Sequence, residues 1–190
     1  MEATLLSAVA TEQAGFRGAL ERVADFYKRA ERWADREQCL DRVAGLLADG
    51  DERAKLLLEM GGEWELREDW EGAARHYVRA LAENPTDPDL AYDTYNRVGY
   101  SLSQLGNVER GEIYCRTAIG LDPNRLDAHL NLGLILRGQA RFIEAAHAFI
   151  AATERAPEDR RSLSHLRAML RAHPDAFHGA PGIASKMKGL

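Results

Sequence analysis

Apolar and polar positions alternate along this chain at helical spacing, and the segments that do so come in pairs. Residues 158–172 show it most simply. Leu163, Leu166, Met169 and Leu170 fall on one face of a helix, and Arg160, Arg161, Arg167 and Arg171 occupy the rest. Such a face must be covered by a neighbour, while the arginines keep the other side in water. Pro174 ends that helix. Upstream, apolar segments of about a dozen residues are joined by short polar turns at Arg67-Glu68-Asp69, Leu105-Gly106-Asn107 and Gln139-Ala140-Arg141, which predicts helix hairpins. Thr86-Asp87-Pro88-Asp89 places a capping acid before a proline, so a helix is expected to start near Pro88. A further short helix is expected over Thr4 to Ala14.

The pairs repeat. Pro123 and Pro157 stand 34 residues apart, and Pro85 stands 38 before Pro123, one period plus a four-residue insert. Gly61, Gly99 and Gly133 lie 24 residues ahead of the three prolines; Ala73, Gly111 and Ala145 lie twelve ahead; Ala80, Ala118 and Ala152 lie five ahead. Eight ahead come Tyr77, Cys115 and Phe149. The small residues have a steric cause, because a larger side chain where two helices cross would force their axes apart. The aromatic or soft residue then fills the space between the paired helices.

A 34-residue period in this order resembles the tetratricopeptide repeat over most of the chain. The resemblance implies an all-α, right-handed superhelical solenoid of helix hairpins with a C-terminal capping helix. Its parts would be an N-terminal helix at 1–16, a degenerate hairpin at 17–50, repeats at 54–87, 92–125 and 126–159, the capping helix at 160–173 and a tail at 174–190. The degenerate copy keeps Tyr27, Trp33, Leu40 and Val43 in packing positions, but Ala24 replaces the glycine and Arg36 stands where a small residue belongs.

Repeats of this family build surfaces rather than catalytic pockets, and the first helices of successive repeats line a concave groove. Carried onto this sequence, the groove-facing positions include Lys55, Leu58, Asn96, Tyr100, Gln104, Leu130, Asn131, Leu134 and Arg137. Glu65, Asp93, Arg97 and Asp127 fall at equivalent positions. Asn96 and Asn131 could bond a peptide backbone while an apolar side chain packs on Tyr100 and Leu134. Alternatively, Leu130 and Leu134 are covered by the N-terminal helix or the tail. The family's clamp for acidic chaperone C-termini places Lys, Asn, Asn, Lys and Arg where this chain has Leu58, Gly62, Arg97, Asp127 and Asn131, so that clamp is absent. The implied role is a non-catalytic adaptor or scaffold for a protein or peptide ligand. The alternatives are a chaperone for a secreted or assembling client and, remotely, a subunit of an enzyme complex.

Composition narrows this further. A net charge of −5 argues against nucleic-acid binding, and no stretch approaches the length of a membrane span. Cys39 and Cys115 are read as reduced, packed thiols, and with a poor secretory start the chain is placed in the cytoplasm. No cofactor, metal or catalytic motif is expected. His129 is read as a core imidazole, His76 and His147 as outer-face residues, and His173 and His178 as solvated. Glu63, Glu65, Glu68, Asp69 and Glu71 are read as a solvated acidic face. Residues 54–91 carry 4 basic and 9 acidic residues and residues 160–190 carry 6 and 1, which allows self-association of the basic end with the acidic repeat. The tail is expected to dock in the concave groove, of its own or a neighbouring molecule, with Lys186 and Lys188 near the acids of 54–91.

Overall fold

The computed structural model describes residues 2–180, 182, 183 and 186, with side chains from residue 13 onward. Among the described residues there are nine α-helices and no strand: α1 (Glu2–Arg29), α2 (Trp33–Leu46), α3 (Gly50–Glu65), α4 (Trp70–Ala82), α5 (Pro88–Gln104), α6 (Val108–Leu121), α7 (Leu126–Gly138), α8 (Phe142–Arg155) and α9 (Arg160–Ala172), followed by a 3₁₀ turn at Pro174–Phe177. Each odd-numbered helix through α7 pairs with the helix after it, and the pairs stack in chain order, ending on α9. The fold is an all-α tetratricopeptide solenoid.

Two boundaries differ from the sequence reading, and the start expected near Pro88 is observed. The helix expected over Thr4–Ala14 and the first helix of the 17–50 hairpin are one element, α1. The join at Gly15 contains no proline, and one glycine in a helix interior costs only about 1 kcal/mol, too little to break it. The first regular repeat opens at Gly50 rather than residue 54, because Asp49 accepts a hydrogen bond from the N–H of Glu52 (2.9 Å) and caps the helix there. The insert lengthens α5: Asp87 accepts from the N–H groups of Asp89 and Leu90, and the helix runs 17 residues against 13 for α7. Asp51 fastens this insert, accepting from the N–H (2.7 Å) and hydroxyl (2.8 Å) of Thr86 and from the N–H of Asp87 (3.1 Å). Those bonds hold its carboxyl below the usual range.

All four hairpins turn in the same way. Glu31, Glu68, Gly106 and Ala140 each take a left-handed backbone conformation (φ 56°, 58°, 81° and 58°). The following N–H of Arg32, Asp69, Asn107 and Arg141 reaches back five residues to the carbonyl of Tyr27, Trp64, Leu102 and Leu136 at 2.9–3.0 Å. This closing motif satisfies the free carbonyls at a helix end. The 17–50 segment therefore turns as the regular repeats do.

The crossings explain the small residues. A Cβ on Gly61 would lie 2.4 Å from the Tyr77 ring, one on Gly133 2.6 Å from Phe149, and one on Gly99 2.7 Å from Cys115 Sγ and 2.9 Å from the Gly111 carbonyl. Tyr77, Cys115, Phe149, Ala73 and Ala145 are fully buried. Burial also pushes the Cys115 thiol up to about 12.

Two histidine readings need comment. His129 is a packed core imidazole whose Nε2 donates to the Pro123 carbonyl at 3.0 Å. His76 is not an outer-face residue: it is fully buried, because second helices of neighbouring hairpins pack together and its position on α4 faces α2. The described part of the tail does not enter the groove. Ile183 is buried in the cluster built by α7, α8 and α9, where Phe177 and Ala180 also pack, and Lys186 lies 3.4 Å from Glu154 on α8, not beside the acids of 54–91. Lys188 lies outside the described residues. No described helix is long and apolar enough to cross a membrane.

Candidate functional site

The concave side is lined by the odd-numbered helices, with α5 contributing Asp93 to Tyr100 and α7 Asp127 to Leu134. Between α5, α7 and α9 runs a groove of about 620 Å³. It brings together five of the nine residues expected there: Asn96 and Tyr100 from α5, and Leu130, Asn131 and Leu134 from α7. Lys55 and Leu58 sit one repeat away, in a shallower hollow of about 400 Å³ between α3 and α5. Arg97 lines both. Gln104 is exposed and borders neither hollow, while Arg137 stands at the far end of the groove with Nη1 3.2 Å from Nδ1 of His165.

The two amides engage each other before any ligand does. Asn131 Nδ2 donates to Asn96 Oδ1 at 2.9 Å, tying α7 to α5. Each keeps further capacity: an N–H on each amide and the Asn131 oxygen remain available. Leu130 is only 5% exposed, so the apolar surface a ligand can reach comes from Tyr100 and Leu134. Tyr100 is braced edge-on by Trp70, with ring centroids 5.4 Å apart. Burial, then the Glu65 charge, raises its phenol above the ordinary tyrosine range, keeping it a neutral hydroxyl.

Three cations lining this groove each lie near an acid of the preceding repeat, while Arg137 at its far end meets His165. Arg97 lies 3.2 Å from Glu65, Arg125 2.5 Å from Asp93 and Arg161 3.7 Å from Asp127. The buried Tyr77 hydroxyl donates to Glu65 at 2.5 Å and accepts from Arg97 at 3.2 Å, which fixes the first pair. Arg125 also lies over the Tyr92 ring at 3.9 Å. The lining is thus polar and charge-balanced rather than cationic.

Sequence reasoning missed Arg125, Arg161 and His165. The last two were within reach: they lie one further 34-residue period beyond Asp127 and Asn131, so α9 continues the lining register of a repeat it does not complete. Arg125 precedes its helix and enters through the loop. His165 stacks on Phe149 with centroids 5.7 Å apart, and burial followed by the charges of Arg137 and Arg161 lowers its pKa. It presents a neutral imidazole. The acidic face is also less solvated than its residue types suggested, since Glu63 is paired and only 17% exposed. No group of three or more His, Cys, Asp or Glu suited to a metal ion occurs among the described residues.

Comparison with known proteins agrees with the fold. Residues 92–125 match the family model of the tetratricopeptide repeat. A stretch of 118 residues is 25% identical to the protein O-mannosyl-transferase Tmtc3 of Drosophila melanogaster, covering 62% of this chain. The chain spans only 12% of that protein's length. Among solved structures, MamA (41-end) from Desulfovibrio magneticus RS-1 is similar with a TM-score of 0.66 and 18% identity, covering 90% of this chain and 93% of that one. The first such domain of Spaghetti (RPAP3), bound to the HSP90 peptide SRMEEVD, is similar with a TM-score of 0.57 and 19% identity, covering 64% of this chain and 94% of that one.

Proposed function

We propose that this tetratricopeptide-repeat protein is a non-catalytic interaction scaffold that holds a peptide or helix of another protein between α5, α7 and α9. The observation that carries the reading is the juxtaposition of the Asn96–Asn131 amide pair with the accessible faces of Tyr100 and Leu134 in one groove. Amides with spare donors and acceptors suit a peptide backbone, and the phenol ring and leucine beside them suit one apolar side chain. A similar fold holding a peptide in the Spaghetti domain supports the class of ligand. The ligand itself differs in character. A peptide ending in several carboxylates needs unpaired cations, whereas Arg97 is already paired with Glu65, Arg125 with Asp93, and Arg161 with Asp159 at 2.6 Å and Asp127 at 3.7 Å. An uncharged or mixed-charge segment fits this lining. Two unpaired thiols, Cys39 and Cys115, accord with a reducing compartment such as the cytoplasm.

Combining Tyr100→Ala with Leu134→Ala tests the reading. Proteins captured by the wild-type chain and identified by mass spectrometry should be lost from the variant, with helical content by circular dichroism nearly unchanged. Full retention of those proteins by the folded variant would place the binding surface elsewhere.

A further inference from the structure

The two ends of the solenoid are finished differently. At the C-terminal end, the outward side of α9 carries Arg160, Arg167 and Arg171, all exposed, as a terminal helix needs for solubility. At the other end, α1 turns Phe16, Val23 and Phe26 outward, 46%, 42% and 57% exposed. Their spacing of seven and three residues places them on one stripe of the helix, with Ala19 between Phe16 and Val23. Three arginines border that stripe. Arg22 and Arg29 lie four before and three after Phe26, and the Arg42 guanidinium lies over the Phe16 ring at 5.4 Å. None has a carboxylate within salt-bridge distance among the described residues, although most other arginines of the chain do.

We infer that the outer face of α1 is a second docking surface, distinct from the concave groove, and that it takes an acidic amphipathic helix of another protein. Apolar side chains of that helix, at three- and four-residue spacing, cover Phe16, Val23 and Phe26, while acids on its flanks reach Arg22, Arg29 and Arg42. Charge selects this occupant over two others. A second α1 would bring like-charged arginines together across the stripe, and the arginine face of α9 from another copy would do the same.

The test uses two designed 21-residue helical peptides with identical leucines at heptad spacing, one flanked by glutamates and one by lysines, titrated against the full chain by fluorescence anisotropy. The glutamate peptide should bind at least tenfold more tightly. Phe16→Ser with Phe26→Ser should weaken it tenfold or more without changing the melting temperature, since both side chains are exposed. Reversing the rim with Arg22→Glu, Arg29→Glu and Arg42→Glu should exchange the preference in favour of the lysine peptide. Equal binding of both peptides, or of neither up to 100-fold excess, would overturn the inference. So would a doubling of mass in sedimentation that Phe16→Ser with Phe26→Ser abolishes, which would make the occupant a second copy. Tighter binding to phosphatidylserine vesicles than to the glutamate peptide would assign the face to a membrane surface and overturn it equally.

Discussion

The first hairpin and the three after it share one turn but differ at the small positions where the paired helices cross. In α3/α4, α5/α6 and α7/α8 a glycine meets the side chain of Tyr77, Cys115 or Phe149 at a distance no Cβ could share. In α1/α2 the glycine position holds Ala24, packed in one cluster with Leu40, and the next small position holds Arg36. Arg36 does not open the crossing, because its guanidinium runs outward to α3, where it grips Glu63 with two bonds of 2.7 Å. Lys28 joins Glu63 at 2.8 Å, and Arg67 lies on the Trp33 ring at 3.3 Å. An apolar crossing resists change in volume and ignores pH. An ionic seam tolerates volume change but depends on charge.

The largest effect should come from filling a regular crossing. Gly99→Leu places side-chain atoms against the Gly111 carbonyl, which is backbone and cannot yield, so we expect a loss of about 3 kcal/mol or more in denaturant unfolding. A loss below 1 kcal/mol would show that the crossing is not close-packed. Next comes the seam. Arg36→Met keeps volume but leaves Glu63 with Lys28 alone, and we expect a loss of about 2–3 kcal/mol, discounted from a fully buried pair because both side chains keep some exposure. Adding Glu63→Gln should restore part of it. If the two changes were simply additive, the pair would not be what joins the hairpins.

Protonation separates the regions more finely. Burial alone would raise the Glu63 carboxyl, but hydrogen bonds from Arg36 and Lys28 outweigh it and hold it below the ordinary range. The folded state then binds that proton less readily than the unfolded chain. Its contribution is complete above the unfolded value, about 4.3, and is lost as pH falls below it. His76 acts in a higher window. Burial is the first cause that lowers its pKa; Arg75 and Arg79 lower it further, and Glu37 and Asp41 oppose them. Nε2 lies 3.2 Å from Glu37 Oε1, yet neither ring nitrogen has a well-directed hydrogen bond. A depressed histidine contributes fully above about pH 6.5, and that contribution fades as pH falls. Melting temperature against pH should show both steps, with His76→Leu flattening the upper one and Glu63→Gln the lower. A profile unchanged by either substitution would remove electrostatics from the account of the first seam.

Much of this was legible because the repeat is a steric code. Gly61, Gly99 and Gly133 mark crossings through their period alone, and Asp87-Pro88 marks the start of α5 through cap chemistry. What escaped depends on neighbours. Arg36 looked like a broken rule until Glu63 was seen across the hairpin boundary, and no spacing within either repeat announces that pair. His76 looked solvated because the pattern shows which face of a helix is apolar within its own hairpin, not which face meets the next. Five of the nine expected groove residues were placed by register. The mutual bond of Asn96 and Asn131 was not, because it depends on side-chain direction between repeats.

The smallest effect concerns the shared turn. A non-glycine residue in left-handed backbone costs about 1–2 kcal/mol, partly offset in glycine by its larger unfolded-state entropy. Ala140→Gly should therefore stabilise by about 0.5–1 kcal/mol, and Glu68→Gly likewise, with Gly106→Ala opposite in sign. Opposite signs at all three positions would mean that the turn is not held in the left-handed form.

Function rests on where a partner sits. Hydrogen–deuterium exchange by mass spectrometry, on the chain alone and with a captured partner, reads that position directly. The account predicts slowed exchange in residues 93–104 of α5 and 127–138 of α7, with α4, α6 and α8 unchanged. Slowing confined to α4, α6 and α8, with the concave helices exchanging as in the free chain, would contradict it.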